Sequence, residues 1–269
     1  MNLIQALVLG VLQGATEFLP VSSSGHLVLV PWILDWSAPP LLYDIVVHLG
    51  TLVAVVVHFW QDILAVLRGL LELLRTQKAE TSDARLAWHL ILSAIPGAIL
   101  GYLFQDLFER IFSAPLTVSL LLCVTAALLL VSEHLGRRIR DLDATRALDA
   151  LTMGLAQGLA IAPGISRSGA TIAAGLLRGL DRTSAARFSF LMSVPIILGA
   201  GAFQVIKLLR GGGLSVSPGL LMAGFAAAAI SGYVAIRWLL RLVRTHSLRP
   251  FAYYCLAAAA LGIILSMAR

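Results

Sequence analysis

The chain has 269 residues, of which 59% are hydrophobic and 13% are charged, with a formal net charge of +6. Soluble domains carry about 25% charged residues, so this composition excludes an ordinary soluble protein and predicts an integral membrane protein. The long apolar runs do not alternate with polar residues, which excludes a β-barrel and favours an all-α bundle. Basic cytoplasmic loops explain the positive charge, so we expect no nucleic-acid partner.

Six apolar segments are long enough to cross a bilayer, which takes about 20 residues each. They cover roughly residues 41–61, 86–105, 115–133, 187–206, 215–236 and 250–268. Two more apolar segments, 2–35 and 147–180, are interrupted by proline, glycine and serine at residues 20–25 and 163–169. Proline ends a helix, and irregular backbone at membrane depth must be buried or line a cavity. Each interrupted segment is therefore predicted to be a re-entrant helix-turn-helix pair.

The two interrupted segments are similar to each other. A shift of 144 residues gives eight identities within the twenty positions 6–25. This predicts one membrane domain with internal repeats at about 1–135 and 145–269, each a re-entrant pair followed by three spans. Three is an odd number, so the second copy must enter the membrane from the opposite side. The result is an inverted-topology repeat, in which ligand sites form where broken helices meet near the midplane.

The distribution of basic residues predicts the orientation. With both termini outside, the cytoplasmic regions are about 62–86, 133–149, 178–187 and 237–249, and they hold fifteen of the twenty Lys and Arg residues. Only Arg167 then remains within the membrane. Four basic residues fall outside: Arg110, Lys207, Arg210 and Arg269. This asymmetry agrees with the enrichment of Lys and Arg in cytoplasmic loops.

The first turn carries an unusual set of polar residues. Gln13 and Glu17 are four residues apart, hence on one face of the first half-helix. An ionisable residue in a membrane segment is expensive and by default functional. After the turn come the side chains and N–H groups that begin the next half-helix: Ser22, Ser23, Ser24, Gly25 and, in its first turn, His26. The free N–H groups and dipole of a helix N-terminus form an anion site.

The second turn repeats this pattern. Ser166 and Ser168 offer hydroxyl groups, and Thr171 lies one turn into the following half-helix. Arg167 supplies a planar fork suited to phosphate oxygens. If the copies are inverted, the two helix N-termini point at each other, and a phosphate between them would meet both dipoles and the guanidinium.

The acid and the histidine suggest chemistry beyond binding. Glu17 is useful beside a phosphate as a general base, as a ligand for a divalent cation, or as both. His26 could be a general acid, a metal ligand or a nucleophile. Ser23 or Ser24 could attack phosphorus if Glu17 or His26 takes its proton. We expect His48 and His89 to be structural or solvated.

The two motifs, from Gln13 to His26 and from Pro163 to Thr171, resemble those of the undecaprenyl-pyrophosphate phosphatases, bacterial enzymes once called bacitracin-resistance proteins. The resemblance covers the whole chain. It implies an enzyme of the bacterial plasma (inner) membrane that removes the terminal phosphate of undecaprenyl pyrophosphate and so recycles the lipid carrier of peptidoglycan synthesis. It also implies a divalent cation, Mg²⁺ or Ca²⁺, a site that opens toward the periplasm, and a homodimer.

The resemblance also implies residue roles. Glu17 matches the family's invariant acid, and Gln13 stands where many members have a second glutamate. Ser23 and His26 match the serine and histidine that follow the turn. The second motif supplies three further matches: Ser166, Arg167 and Thr171. An amide cannot act as a base, so Glu17 must be both base and metal ligand, or must hold the metal together with substrate oxygens.

The identity of the nucleophile stays open between serine, histidine and water. We favour Ser23, with Glu17 as its base. A transporter or flippase of a polyprenyl phosphate lipid is the alternative function, because inverted repeats with broken helices are typical of transporters. A non-catalytic scaffold is a weaker alternative.

Overall fold

A computed structural model describes residues 1–104, 107, 111, 114–211 and 216–268, the side chains of 203 and 207–211 excepted. Within that range the chain forms eleven helices and no β-strand. In chain order the helices are α1 (Leu3–Phe18), α2 (Ser23–Ile33), α3 (Leu41–His58), α4 (Trp60–Thr76), α5 (Ser82–Leu103), α6 (Pro115–Leu135), α7 (Ala147–Leu159), α8 (Arg167–Leu177), α9 (Arg182–Gly211), α10 (Pro218–Leu242) and α11 (Arg249–Ala268).

Six of these helices are long and apolar enough to cross a membrane, and they confirm the six predicted spans: α3, α5, α6, α9, α10 and α11. Some begin earlier than the apolar run. Helix α5 begins at Ser82 because the Thr81 side chain accepts a hydrogen bond from the Ala84 N–H at 3.2 Å. Helix α4 was not predicted, since the region 62–86 was expected only as a cytoplasmic connection.

Both interrupted segments consist of two helices joined by a turn, as predicted. Ser22 caps α2 by accepting a hydrogen bond from the Gly25 N–H at 3.2 Å, and Ser166 caps α8 through the Gly169 N–H at 3.0 Å. Ser22 has a positive φ of 71°, a strained conformation of the kind that occurs at functional sites. Gly164 has a φ of 101°, which favours glycine. That the pairs are re-entrant in a bilayer stays a prediction.

The first helix of each interrupted segment packs against a long helix of the other half of the chain. Helix α1 lies on α10, and α7 lies on α5. Glycines allow the close approach, because a Cβ atom on the first residue of each pair below would lie within 3.2 Å of the facing backbone. The facing pairs are Gly10 with Gly224, Gly14 with Ala228, Gly154 with Ser93 and Gly158 with Gly97. The same packing therefore occurs twice, at positions 144 residues apart, as an internal repeat would produce.

A buried carboxylate joins three of the four arginine-rich segments. Glu133 accepts hydrogen bonds from Arg138 at 2.6 Å, from Arg182 at 2.6 Å and from the Leu248 N–H at 2.8 Å. Because a buried charge is stable only when it is paired, Glu133 fixes the ends of α6, α9 and α11 relative to one another.

Two further carboxylates extend this ionic layer. Asp149 binds Arg140 at 2.5 Å and Arg178 at 2.8 Å. Asp62 binds Arg187 at 2.7 Å, which brings in the remaining arginine-rich segment. All four segments therefore meet at one end of the bundle. Of the four basic residues expected on the other side, Arg110 and Arg269 lie outside the described residues, and the side chains of Lys207 and Arg210 are likewise not described.

Adding one methyl group at the α1–α10 contact should loosen the fold. Gly14→Ala places a Cβ atom against the Ala228 carbonyl, and overpacking of this kind costs about 1–3 kcal/mol. We expect a lower melting temperature for the detergent-purified variant. The control is Gly199→Ala in α9, whose added Cβ has nothing within 4 Å. An unchanged melting temperature for Gly14→Ala would contradict the close helix contact.

Candidate functional site

A cavity of about 200 Å³ lies where the two turns meet. Residues of five helices and of the end of α1 form its wall, which combines apolar side chains with a small group of polar ones. The polar and charged residues of the wall used below are Glu17, Ser23, Asp44, His48, Gln157 and Arg167. A mainly apolar cavity with a few convergent polar groups is the usual form of a ligand site.

Glu17 is the centre of this polar group. It is 6% exposed. Its Oε1 accepts a hydrogen bond from Arg167 Nη2 at 2.7 Å, and its Oε2 accepts from Ser23 Oγ at 2.5 Å and from Gln13 Nε2 at 2.9 Å. Glu17 and Arg167 come from different predicted motifs and lie 150 positions apart in the sequence, yet they are in direct contact.

Arg167 uses only part of its guanidinium group for this pair. It is the first residue of α8, so its side chain starts at the helix N-terminus. Within the described part of the chain, its Nη1 is buried and has no hydrogen-bond partner. A guanidinium fork presents parallel donors that match two oxygens of a phosphate or carboxylate. Arg167 can therefore hold Glu17 with one donor and an anion with another.

The two turns also hold each other in place. Ser22 Oγ accepts a hydrogen bond from the Gly164 N–H at 3.2 Å, across the boundary between the segments. Ser168 Oγ donates to the Leu19 carbonyl at 3.0 Å. A Cβ atom on Gly25 would lie 3.3 Å from the Cα of Gly164, so the backbones approach closely. The N-termini of α2 and α8 are thereby brought to one place.

The structure separates the predicted site residues into two groups. The cavity is lined by four of them, Glu17, Ser23, Ser24 and Arg167, and the others are not part of its wall. Those others build the turns and their neighbours: Gln13, Ser22, Gly25, His26, Ser166, Ser168 and Thr171. Thr171, for example, hydrogen-bonds the Arg167 carbonyl at 2.7 Å and the Ser189 hydroxyl at 2.6 Å. Direct contact of these residues with a substrate stays a prediction.

His26 is directed away from the cavity. Its Nδ1 lies 2.7 Å from the Ser22 carbonyl, and its Nε2 lies 2.8 Å from the Tyr254 hydroxyl, against which its ring stacks. Both ring nitrogens are engaged, so the arrangement supports a role in holding the first turn against α11. Its predicted catalytic role remains untested.

Two ionisable cavity residues were missed by the sequence analysis. His48 was expected to be structural or solvated, but its Nε2 lies 4.0 Å from Glu17 Oε2, and its Nδ1 lies 2.8 Å from the Asp44 carbonyl. Asp44 also lines the cavity. The sequence did contain a signal for Asp44 and His48, because both are ionisable residues on one face of an apolar span.

The donor groups of the cavity fit a divalent cation that arrives together with phosphate. Among the described residues there is no group of three or more His, Cys, Asp or Glu side chains placed to hold a metal ion. Mg²⁺, however, is commonly bound through one or two carboxylates plus substrate phosphates. Glu17 and Asp44 are the carboxylates on the wall, and Glu17 is the predicted ligand.

Taken together, these groups can bind a phosphate-type anion and activate a nucleophile. Two helix N-termini and Arg167 supply positive potential. The Ser23 hydroxyl donates a hydrogen bond to Glu17 at 2.5 Å. This is the contact that a serine nucleophile and its base require.

The Glu17–Arg167 pair should be strongly coupled in its effect on stability. Removing one partner of a buried ion pair costs about 3–5 kcal/mol, because the other charge is left unpaired. We therefore expect a coupling energy of about 3 kcal/mol from a double-mutant cycle of Glu17→Gln and Arg167→Met, measured by denaturant unfolding in mixed micelles. The control is Lys78–Glu80, which are 70% and 73% exposed and should show less than about 1 kcal/mol. Equal coupling energies would contradict the buried contact.

Known proteins are similar to this chain along nearly its whole length. The family model for bacitracin resistance protein BacA matches residues 6–261. The chain is 41% identical to an undecaprenyl-diphosphatase from Desulforudis audaxviator, over 100% of both chains. It is 46% identical to those from Moorella thermoacetica and Rubrobacter xylanophilus, over 97% of both chains in each case. The chain therefore belongs to the bacitracin resistance protein BacA family.

Proposed function

We propose that this protein is a membrane phosphatase that hydrolyses undecaprenyl diphosphate to undecaprenyl phosphate and inorganic phosphate, and so recycles the lipid carrier of peptidoglycan synthesis. Its relatives of 39–46% identity are named undecaprenyl-diphosphatase. The observation that carries the proposal is the contact of Glu17 with both Arg167 and Ser23, at 2.7 and 2.5 Å, on the wall of one cavity.

The geometry supports Ser23 as the nucleophile. Ser23 Oγ attacks the terminal phosphorus while its proton passes to Glu17 Oε2. The bond from that phosphorus to the bridging oxygen breaks, and the lipid monophosphate leaves with the electron pair. Glu17 passes this proton to the departing phosphate oxygen and is again a carboxylate. It then takes a proton from water while the water oxygen attacks the phosphoserine. The bond between phosphorus and Ser23 Oγ breaks, Glu17 returns the proton to Ser23 Oγ, and inorganic phosphate is released. This sequence uses no proton transfer by His26, whose ring nitrogens contact Ser22 and Tyr254.

Positive groups stabilise the charge on the transferred phosphoryl group. Arg167, which begins α8, and Ser23 and Ser24, which begin α2, line the cavity before the substrate binds, and preorganised donors contribute strongly to catalysis. A divalent cation, Mg²⁺ or Ca²⁺, would be held by Glu17 and substrate oxygens, and it would neutralise phosphate charge.

An apolar groove next to the cavity supports a lipid-linked substrate. It has a volume of about 450 Å³ and shares Leu27 and Asp44 with the cavity wall. Its other lining residues include Pro31, Trp32 and Trp36 from the end of α2 and the following connection. A prenyl chain that leaves the cavity through this groove would stay in apolar surroundings while the diphosphate is held at the turns.

The orientation follows from the ionic layer at one end of the bundle. Arginine-rich segments face the cytoplasm, so we place that end inside and both termini in the periplasm. The cavity includes Ala200 on α9, thirteen residues from Arg187, which is about 20 Å along a helix. The site would then open toward the periplasm, between two re-entrant pairs of an inverted repeat in the inner membrane. A homodimer stays a prediction from the resemblance.

The transporter alternative is not favoured. Inverted repeats are typical of transporters, but the named relatives are diphosphatases.

Purified protein with undecaprenyl diphosphate and Mg²⁺ should release one phosphate per lipid. We expect Arg167→Ala to reduce kcat by at least about 10²–10³, the usual effect of losing a donor to the transition state. Ser23→Ala should reduce it further, since nucleophile removal costs about 10⁴ or more. Thr152→Ala is the control, because Thr152 lies on α7 with its hydroxyl bonded to its own helix.

Three results would contradict parts of this proposal. Folded protein that releases no phosphate would refute the phosphatase. Full activity of Ser23→Ala would assign the attack to water or to another residue. Lipid that crosses a liposome membrane without hydrolysis would identify a transporter.

A further inference from the structure

Gln157 has a buried amide group with no partner. Its side chain is 2% exposed and lines the cavity. Over the part of the chain that the structure describes, neither its Nε2 nor its Oε1 makes a hydrogen bond. Leaving a buried polar group unsatisfied costs about 1–3 kcal/mol, and native proteins contain few such groups. The cost is explained if a ligand supplies the partner.

The predicted internal repeat explains why the amide has no partner among the described residues. Gln157 corresponds to Gln13 under the shift of 144 residues. Gln13 donates to Glu17, four residues further along the same helix, at 2.9 Å. The residue that corresponds to Glu17 is Ile161, which has no polar atom in its side chain and also lines the cavity. The second amide therefore has the same position as the first but lacks its carboxylate.

The surroundings of Gln157 suit an anion. Arg167, which follows on the next helix, lines the same cavity and has an unpaired Nη1. The carboxylate of Glu17, which also lines the cavity, already accepts three hydrogen bonds. An amide N–H is a neutral donor that can bind a phosphate oxygen without adding charge to the site.

We propose that Gln157 binds the substrate: its Nε2 donates a hydrogen bond to a non-bridging oxygen of the diphosphate while Arg167 Nη1 binds another oxygen. The two donors come from the second repeat, and Ser23 and Glu17 come from the first. Gln157 thus positions the diphosphate so that its terminal phosphorus faces Ser23. This inference rests on the proposed function.

The test compares Gln157→Leu with the parent protein in two measurements. Leucine fills a similar volume and removes the amide, so the lost hydrogen bond to a charged oxygen should raise KM for undecaprenyl diphosphate about tenfold or more. The melting temperature without ligand should not fall, because the amide makes no hydrogen bond to the residues that the structure describes. The rise in melting temperature caused by methylene diphosphonate, a diphosphate that cannot be hydrolysed, should shrink.

Two further variants sharpen the test. Gln157→Glu places a negative charge beside the diphosphate and should raise KM more than leucine does. Gln157→Asn keeps the amide but shortens its reach, and a KM above that of the parent protein is expected for it even if the leucine variant does not fold. Thr152→Val on the same helix is the control and should leave KM unchanged.

The results separate this inference from the proposed function. If the parent protein releases phosphate but Gln157→Leu and Gln157→Asn keep its KM, the inference is wrong and the phosphatase stands. A lowered melting temperature without ligand, together with an unchanged KM, would likewise refute it by assigning Gln157 a structural role. If the parent protein neither releases phosphate nor is stabilised by methylene diphosphonate, both proposals fail.

Discussion

A buried ion pair between two helix breaks is the interaction on which the rest of the structure depends. Glu17 and Arg167 belong to different halves of the chain, and each would be costly to bury alone. Their contact at 2.7 Å requires that both turns reach the same place. The glycine contacts of α1 and α7 and the capping serines Ser22 and Ser166 make that approach possible.

The pair also sets the chemistry of the site. Glu17 is held by Arg167, Gln13 and Ser23, so its carboxylate is fixed in the orientation that its proposed role as base for Ser23 needs. The pair is neutral as a unit, which leaves the helix N-termini and the second donor of Arg167 to attract an anion. A diphosphate carries more negative charge than these groups can balance, which gives a physical reason for the predicted divalent cation.

The sequence predicted those features that depend on local patterns. Span positions follow from the length of apolar runs, and the breaks follow from Pro20, Pro163 and the nearby serines and glycines. The contact of Glu17 with Arg167 was expected from the predicted inverted repeat. Helix α4 was missed because charged residues recur among its apolar ones at helical spacing. The segment is therefore not apolar enough for a span, and it was interpreted as a connection.

Side-chain direction could not be predicted in the same way. His26 turns toward Tyr254 and His48 toward Glu17, because tertiary packing sets the rotation of α2 and α3, and no local pattern reports it. Gln157 was visible as the counterpart of Gln13. Its importance appears only when the structure shows that Gln157 lines the cavity and that its buried amide has no partner among the described residues.

The most direct test of the central claim is an experimentally determined structure with methylene diphosphonate and Mg²⁺ bound. The account predicts that phosphoryl oxygens lie within hydrogen-bond distance of Arg167, that the terminal phosphorus lies near Ser23 Oγ, and that Glu17 remains in contact with both residues. A diphosphate bound elsewhere, or Arg167 separated from Glu17 and directed toward the lipid, would contradict it.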